Sequence, residues 1–387
     1  MQIYDIIRGM KATKENCVRE HFASHWLTIQ PSLFDFLEDE VGELDENQRL
    51  FVHIVESIDL KHIASEYRWC GNGRKLSSRL SLFKLLLMKH VWNFPTSKAA
   101  LAEVRRSPSM RRLCGWEYQC DIPSESTLSR TFKRFALDEL AQKLFADFVA
   151  KVTDKRIVLH RSIDSTEIDA REKAAVKPKK KSVADDEAIH AQIEANAKDF
   201  NALNLQCERD ATTNISMLPT LCDWGCKRNS KGKTQYWRGY KLHLAVADGD
   251  FPIAACLTSA SVHDSKVAIP LMQLADKAAV SLYDLEDAAY DAKEIRSYSE
   301  AHGHIPIIDA NPRRGEKPDN RGERTTHFPS AERVRFRNRT AVERVNGHLH
   351  DAHGGRTVRV RGYSKVFLHL MLGLLVIAVE QSARMLC

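Results

Sequence analysis

Three acidic residues of this sequence follow or lie within segments that would place carboxylates together. Asp164 ends the apolar segment IVLHRSID, Asp287 follows another in LEDAAYD, and Glu343 lies in RNRTAVERVNGHLHD. Hard divalent cations such as Mg²⁺ take oxygen ligands. Two of them about 4 Å apart activate a water or a hydroxyl and stabilise the leaving oxygen in phosphoryl transfer. Three converging acids would therefore indicate metal-dependent phosphoryl transfer.

Each acid taken alone is explained more simply as a surface residue or a helix cap. The separations are 123 and 56 residues, so proximity depends on the fold. Other nearby acids have local explanations: Asp264 and Asp291 are predicted helix caps, and Glu332 suits the dipole of a helix start. Asp169 is expected past the first strand and Asp284 inside the fourth.

The elements that must position these acids follow from residue periodicity. Strands are predicted at 156–164, 240–247, 252–258, 280–285 and 305–308, with a hairpin turn at 248–250. Helices are predicted at 264–276, 291–301 and 330–350, the last beginning at a Ser330 cap. This order indicates an α/β ribonuclease-H-like catalytic domain, a mixed sheet flanked by helices.

The domain organisation follows from where this order begins. Residues 1–152 are predicted to form an all-α N-terminal domain and residues 153–387 the catalytic domain. The latter has an insertion at about 171–235, with one helix around 186–201, and a C-terminal helix at 364–384. The apolar run at 366–379 has 14 residues and includes His369. A membrane span needs about 20, so a buried helix and no membrane are expected.

Basic residues mark candidate nucleic-acid contacts in both domains. Arg130 and Lys133 point away from the apolar face of a predicted helix, which suits either a helix-turn-helix DNA reader or an ordinary bundle with a solvated face. The whole chain carries a net charge of +7, and residues 311–365 hold 14 Lys and Arg against 6 Asp and Glu, a surplus of 8. Arginines there suit bidentate phosphate contact, although a solvated basic surface is the alternative.

Composition and cysteine usage exclude several protein classes. The chain is 43% hydrophobic and 28% charged, which excludes disordered and collagen-like proteins. Nine scattered cysteines indicate free thiols in a cytoplasmic protein. A zinc site around Cys222 and Cys226, with Cys207 and His243, has no standard ligand spacing. The lysine run at 177–181 is expected to be a solvated loop.

Several segments together resemble bacterial insertion-sequence DDE transposases of the insertion-sequence four and five superfamily. The resembling segments are IDSTEI at 163–168, WRGYKLHLAV at 237–246, SVHDSK at 261–266, EDAAYDA at 286–292 and RNRTAVERVNGHLHDAHGGRTVRVRG at 337–362. Arg339 and Glu343 match the last block, whereas Phe336 and His350 stand where the family favours Tyr and Lys.

The resemblance implies a DNA transposase that binds terminal inverted repeats and performs cleavage and strand transfer. Asp164, Asp287 and Glu343 would hold two Mg²⁺ ions, with Mn²⁺ as a substitute. The expected partners are double-stranded DNA, both repeat ends and target, and further copies of the chain, as a homodimer or higher in a DNA synapse. The protein would be cytoplasmic and nucleoid-associated.

The residues predicted to contact DNA are Arg130, Lys133, Lys241, Arg337, Arg339, Arg359 and Arg361. Trp237 would either stack on an unpaired base or, more simply, pack in the core beside a strand. Two other functions stay open: a DNA-binding protein without catalysis, and a ribonuclease-H-like metal-dependent nuclease.

Overall fold

The structure, a computed structural model, describes residues 42–60, 63, 67, 77–154, 157–175, 203–228, 233–311 and 328–385. Chain contacts divide it into two compact units. The first comprises Met1–Phe148, Leu349–Arg359 and Leu368–Cys387, and the second comprises Val149–His348 and Val360–Phe367. The predicted helix at 186–201 and the lysine run at 177–181 lie outside the described residues.

The described part of the first unit is helical. Its helices are α1 (Glu46–Ser57), α2 (Arg79–Val91), α3 (Ser97–Arg106), α4 (Pro108–Cys114), α5 (Glu125–Leu137) and most of α6 (Leu140–Thr153). Thr96 caps α3 by accepting from the Ala99 N–H, and Ser124 caps α5 by accepting from the Thr127 N–H. Helix α2 is buried from Ser81 to Val91, which makes it the centre of this unit.

The C-terminal helix α13 (Tyr363–Met385) is longer than predicted and contributes its residues from Leu368 onward to the first unit. It is the one helix among the described residues with the length and composition to cross a membrane, and 89% of its apolar window is buried inside the protein. It is thus a core helix, as predicted.

The second unit contains the sheet. Its strands are β1 (Ile157–Asp169), β2 (Asp223–Arg228), β3 (Thr234–Ala247), β4 (Phe251–Ser259), β5 (Val280–Glu286) and β6 (Ile305–Ile308). Its helices are α7 (Leu203–Glu208), α8 (Ala211–Ser216), α9 (Ser265–Asp276), α10 (Lys293–Ala301), α11 (Ser330–Phe336) and α12 (Thr340–Ala352).

The sheet is mixed and runs in the order β2, β3, β1, β5, β6, with β4 also paired to β3. Strands β3 and β4 are antiparallel around the predicted turn, where Gly249 and Asp250 adopt left-handed φ angles of 76° and 59°. Strands β1, β5 and β6 are parallel neighbours. This topology follows the predicted element order.

The structure differs from the sequence predictions in the extent of β1, in the presence of β2 and in the helix at 330–350. Strand β1 continues five residues beyond Asp164, so Asp169 belongs to the strand. Strand β2, inside the predicted insertion, was not anticipated. The predicted helix at 330–350 is two helices separated by a 3₁₀ turn at Arg337–Arg339, and its Ser330 cap is wrong because Pro329 holds that position without a side-chain bond.

Candidate active site

Asp164 lies midway along β1, flanked by β3 and β5. It is half-buried, and its carboxylate accepts a hydrogen bond from the Ser165 N–H at 2.8 Å. Burial raises the pKa of Asp164 to about 6, and the nearby negative charge of Asp287 adds to the shift. This carboxylate is desolvated and faces a like charge, so its ionised form lacks full compensation.

Asp287 is brought beside Asp164 by the register of two parallel strands. Ile163 pairs with Glu286, so Asp164 and Asp287, the residues that follow them, lie side by side. Asp287 also begins a 3₁₀ turn, where its Oδ1 accepts from the Ala289 N–H at 2.9 Å. Burial raises the pKa of Asp287 as well. Pairing of β1 with β5 thus joins two acids 123 residues apart.

Glu343 reaches this pair through an arginine. In the first turn of α12, its Oε1 accepts from the Arg339 Nη2 at 2.5 Å. The Arg339 guanidinium also acts to lower the pKa of both Asp164 and Asp287. The preceding 3₁₀ turn is tied to β1, because the Ser162 hydroxyl donates to the Asn338 carbonyl at 3.1 Å. One arginine therefore serves three predicted catalytic acids.

Asp264 is a fourth acid at this site, and its assignment as a helix cap is wrong. It adopts helical φ and ψ angles and makes no capping hydrogen bond. Its Oδ1 instead accepts from the Ser165 hydroxyl and from Lys241 Nζ, each at 2.9 Å. Burial acts to raise the pKa of Asp264, but His243 and Lys241 hold it below its ordinary value. Asp264 thus braces β1 next to Asp164.

Asp291 likewise fails as a predicted cap. Helix α10 begins after Ala292, while the Asp291 carboxylate accepts from the Arg296 guanidinium and from the Asn311 N–H. In both cases the carboxylate bonds to residues distant in sequence instead of capping the helix that follows it.

Lys241, a predicted phosphate contact, is hydrogen-bonded within the second unit. Its ammonium donates to the Val262 carbonyl at 2.8 Å and to Asp264, and only 12% of its side chain is exposed. The structure therefore places Lys241 inside the protein as a support for Asp264. Trp237 is also internal: it is 7% exposed and its indole N–H donates to the Tyr240 carbonyl. Core packing, the simpler alternative, accounts for it.

Five of the six other predicted DNA contacts are exposed. Arg337 and Arg361 are exposed in the second unit, and Arg339 is half-buried there. In the first unit, Arg130 and Lys133 are exposed on α5, opposite its buried Leu128 and Phe135, and Arg359 is exposed.

The described cysteines do not form a zinc site. Cys222 is buried with its thiol 3.8 Å from the Glu172 carbonyl, and Cys226 is exposed on β2. In the described part of the chain, no three-ligand cluster forms around these cysteines. The six described cysteines are free thiols.

Two residues near the site escaped the sequence analysis. Lys227 is exposed on β2, and its ammonium is near enough to act to lower the pKa of both Asp164 and Asp287. Glu286 is fully buried with both carboxyl oxygens unbonded, and burial raises its pKa far above the ordinary value. The positions of both residues depend on strand pairing, which local sequence does not reveal.

The donor set suits a hard divalent cation. Asp164 and Asp287 present desolvated, mutually repelling carboxylate oxygens, which a bound cation would compensate. The three predicted acids are not among the described groups whose ligand atoms all lie within 4.8 Å of one another. Glu343 is engaged by Arg339 instead. Metal coordination by all three acids would therefore need Glu343 to move closer to Asp164 and Asp287.

Two family matches place this geometry in context. The family described as "Transposase DDE domain" matches residues 155–379, more than half of the chain. The chain belongs to the DDE transposases. The family described as "Transposase domain (DUF772)" matches residues 39–134, within the helical unit. No curated protein and no solved structure matches the chain.

Membership gives the coarse function and the fold. The protein is a DNA transposase, and this family acts on DNA and generally uses divalent metal ions. The DDE domain implies a ribonuclease-H-like fold, with which the mixed sheet and its flanking helices agree.

Proposed function

We propose that this transposase binds the terminal inverted repeats of an insertion sequence of the four and five superfamily and performs metal-dependent cleavage and strand transfer. The observation that carries the proposal is the β1–β5 register, which sets Asp164 beside Asp287, together with the Arg339 bridge to Glu343. The mechanism needs no covalent enzyme intermediate, because positioning and charge stabilisation supply the catalysis.

In this proposal Asp164, Asp287 and Glu343 hold two Mg²⁺ ions, for which Mn²⁺ substitutes. When bound, such ions activate an attacking water or 3′-hydroxyl and stabilise the leaving oxygen. The rigid pairing of β1 with β5 keeps two of the acids in place, and Asp264 with Ser165 braces the same strand. Arg339, once released from Glu343, orients a phosphate by bidentate hydrogen bonds.

The surrounding cations supply DNA binding in the same proposal. Arg337, Arg359 and Arg361 contact the phosphate backbone, and Arg130 with Lys133 on α5 contact the repeat. A synapse joining two DNA ends involves a homodimer or a larger assembly, in the bacterial cytoplasm at the nucleoid. In the same proposal residues 1–152 form the DNA-binding N-terminal domain and residues 153–387 form the catalytic domain.

Isosteric neutralisation of each acid tests the proposal. We expect Asp164→Asn, Asp287→Asn and Glu343→Gln to reduce Mg²⁺-dependent cleavage of repeat-end DNA by about a thousandfold or more, because each removes a metal ligand. Cleavage of labelled duplexes measures activity, and fluorescence anisotropy measures DNA affinity.

The matched control is Asp169→Asn, at the exposed end of the same strand, which should cleave like the wild type. Full cleavage by any of the three acid variants would remove that residue from the catalytic set. Competition by duplexes with and without the inverted repeat separates a transposase from a less specific nuclease.

A further inference from the structure

The turn between β3 and β4 contains two aspartates, Asp248 and Asp250, and is here called the aspartate turn. Gly249 and Asp250 lie in the left-handed region of φ, which glycine, asparagine and aspartate adopt most readily. This conformation explains the local sequence DGD as a hairpin turn. It does not explain where the two carboxylates bind, because each of them bonds to an element distant in sequence.

Asp248 binds strand β1. Arg161 pairs with Ala247, so His160 lies opposite Asp248. The backbone N–H and the ring Nδ1–H of His160 donate to the two carboxylate oxygens of Asp248, each at 2.8 Å. The other ring nitrogen of His160, Nε2, lies 3.5 Å from Nη1 of Arg335. Asp248 is thus linked through His160 to helix α11.

The Arg335 guanidinium is also held by an aromatic ring of β5. It lies 4.1 Å from the centre of the Tyr283 ring, a cation–π contact. The rings of Tyr283 and His160 are in turn 5.6 Å apart. Arg335 is two residues before the 3₁₀ turn at Arg337–Arg339. These contacts fix the chain where it enters that turn.

Asp250 binds the chain on the other side of the 3₁₀ turn. Its two carboxylate oxygens accept from Arg344 Nε and Nη2 at 2.8 and 2.6 Å, which makes a bidentate pair. Arg344 Nη1 donates to the Thr340 hydroxyl at 2.8 Å. That hydroxyl donates to the Arg337 carbonyl at 3.0 Å. A continuous series of hydrogen bonds thus connects Asp250 to the 3₁₀ turn.

These contacts lie on either side of Arg339 and next to Glu343. Arg339 is followed directly by Thr340, and Glu343 is followed directly by the arginine of the bidentate pair. The Arg344 side chain is 57% exposed, and ion pairs at such positions contribute little to stability. A bidentate pair nevertheless fixes direction, and displacement of a catalytic group by about 1 Å can reduce a rate by about a hundredfold.

We propose that the aspartate turn positions Arg339 and Glu343 for the reaction, with Asp250 as its principal residue and Asp248 as the second. Both aspartates are positioning residues, because they act through the backbone on either side of the 3₁₀ turn. Since that backbone is held, Glu343 approaches the other two acids by rotation of its side chain while α12 stays in place. The inference rests on the proposed function, in which Glu343 is a metal ligand.

The test removes the charge of Asp250 and retains the turn. Asparagine readily adopts the φ of 59° found at this position, so Asp250→Asn adds no backbone strain. We expect its single-turnover rate of Mg²⁺-dependent cleavage at saturating repeat-end DNA to fall by about tenfold or more. DNA affinity in EDTA should be unchanged. The Mg²⁺ concentration for half-maximal cleavage should rise, which loss of folded protein alone would not cause.

A double-mutant cycle shows whether Asp250 acts through Arg344. Arg344→Gln should lower the cleavage rate as Asp250→Asn does, and the double variant should be no slower than either single variant. Arg344→Lys retains the charge without the bidentate geometry and should have an intermediate rate. Asp248→Asn, which weakens the link through His160, should also lower the rate.

The matched control is Glu103→Gln, which removes the carboxylate of another surface ion pair, with Arg106 in α3. It should cleave like the wild type, and thermal unfolding verifies that each variant folds. A wild-type rate and Mg²⁺ requirement in folded Asp250→Asn, or additive losses in the double variant, would overturn the inference. Full cleavage by Asp164→Asn in the same assay would instead refute the proposed function.

Discussion

Two pairs of neighbouring charged residues lie three residues apart along the same parallel strands. In one pair the buried carboxylate has a cationic partner, and in the other it has a second carboxylate. Arg161 of β1 pairs with Asp284 of β5, just before Asp164 and Asp287. Asp284 is fully buried and accepts from Arg161, Ser299 and His304 at 2.9, 2.5 and 3.1 Å. Burial acts to raise its pKa, but Arg161 and the other donors hold it at about 2.

The second group lacks such compensation. Burial raises the pKa of Asp164 to about 6. The pKa of the neighbouring Asp287 is also raised by burial. The difference shows that the sheet can satisfy a buried carboxylate completely where it serves the fold. Three residues further along, the negative charges of Asp164 and Asp287 have few neutralising partners. A bound cation would neutralise them, which is typical of a functional site.

The largest expected difference in this comparison concerns stability. Asp284→Asn should lower the free energy of unfolding by about 3–5 kcal/mol, because it leaves the Arg161 charge buried with only part of its compensation. Asp164→Asn should leave stability unchanged or raise it, because it removes a desolvated charge beside Asp287. Urea denaturation of both variants measures this. Equal destabilisation would contradict the distinction between the two groups.

The next expectation is that the two groups respond to pH in opposite directions. For Asp164, the folded pKa of about 6 lies above the unfolded value, so the folded state binds more protons between pH 4 and 6. Its contribution to stability should therefore fall by about 2–3 kcal/mol as pH rises through that window. For Asp284, stability should be lost as pH falls from about 4 towards 2.

Denaturation at several pH values, without divalent metal, checks these slopes. The difference in unfolding free energy between wild type and Asp164→Asn isolates the first contribution and should decrease from pH 4 to pH 6. A difference independent of pH would show that Asp164 has an ordinary pKa. Asp169→Asn, at the exposed end of β1, again serves as the control.

The smallest expected effect is stabilisation by metal. At ten times the dissociation constant, Mg²⁺ should raise the free energy of unfolding by about 1.4 kcal/mol. The gain should vanish in Asp164→Asn and Asp287→Asn and persist in Asp169→Asn. Thermal unfolding with and without Mg²⁺ measures it at pH 7, and KCl of equal ionic strength controls for general ionic effects. An equal gain in all variants would place the ion elsewhere.

Much of this arrangement was predictable because its signals are local. The apolar runs before Asp164 and Asp287 identify strands, and the turn at 248–250 identifies a hairpin. Helix caps such as Thr96 and Ser124 are local signals of the same kind, because each hydroxyl accepts from a backbone N–H three residues further on. Strand β2 escaped prediction because its sequence, DWGCKR, is short, with only two alternating apolar residues, and the strand is defined by its pairing with β3.

The sequence by itself determined most of the order of strands and helices, the concentration of basic charge after residue 311, and the acids available for catalysis. These depend on residue type and local periodicity. Only the tertiary structure decided which acids remain uncompensated: Asp264 has Lys241, Asp284 has Arg161, and Asp164 has Asp287 as a neighbour. It also decided that Trp237 is buried and Trp224 exposed. Strand register and contacts between residues distant in sequence decide which side chains are buried and which charges are paired. The linear sequence contains neither kind of information.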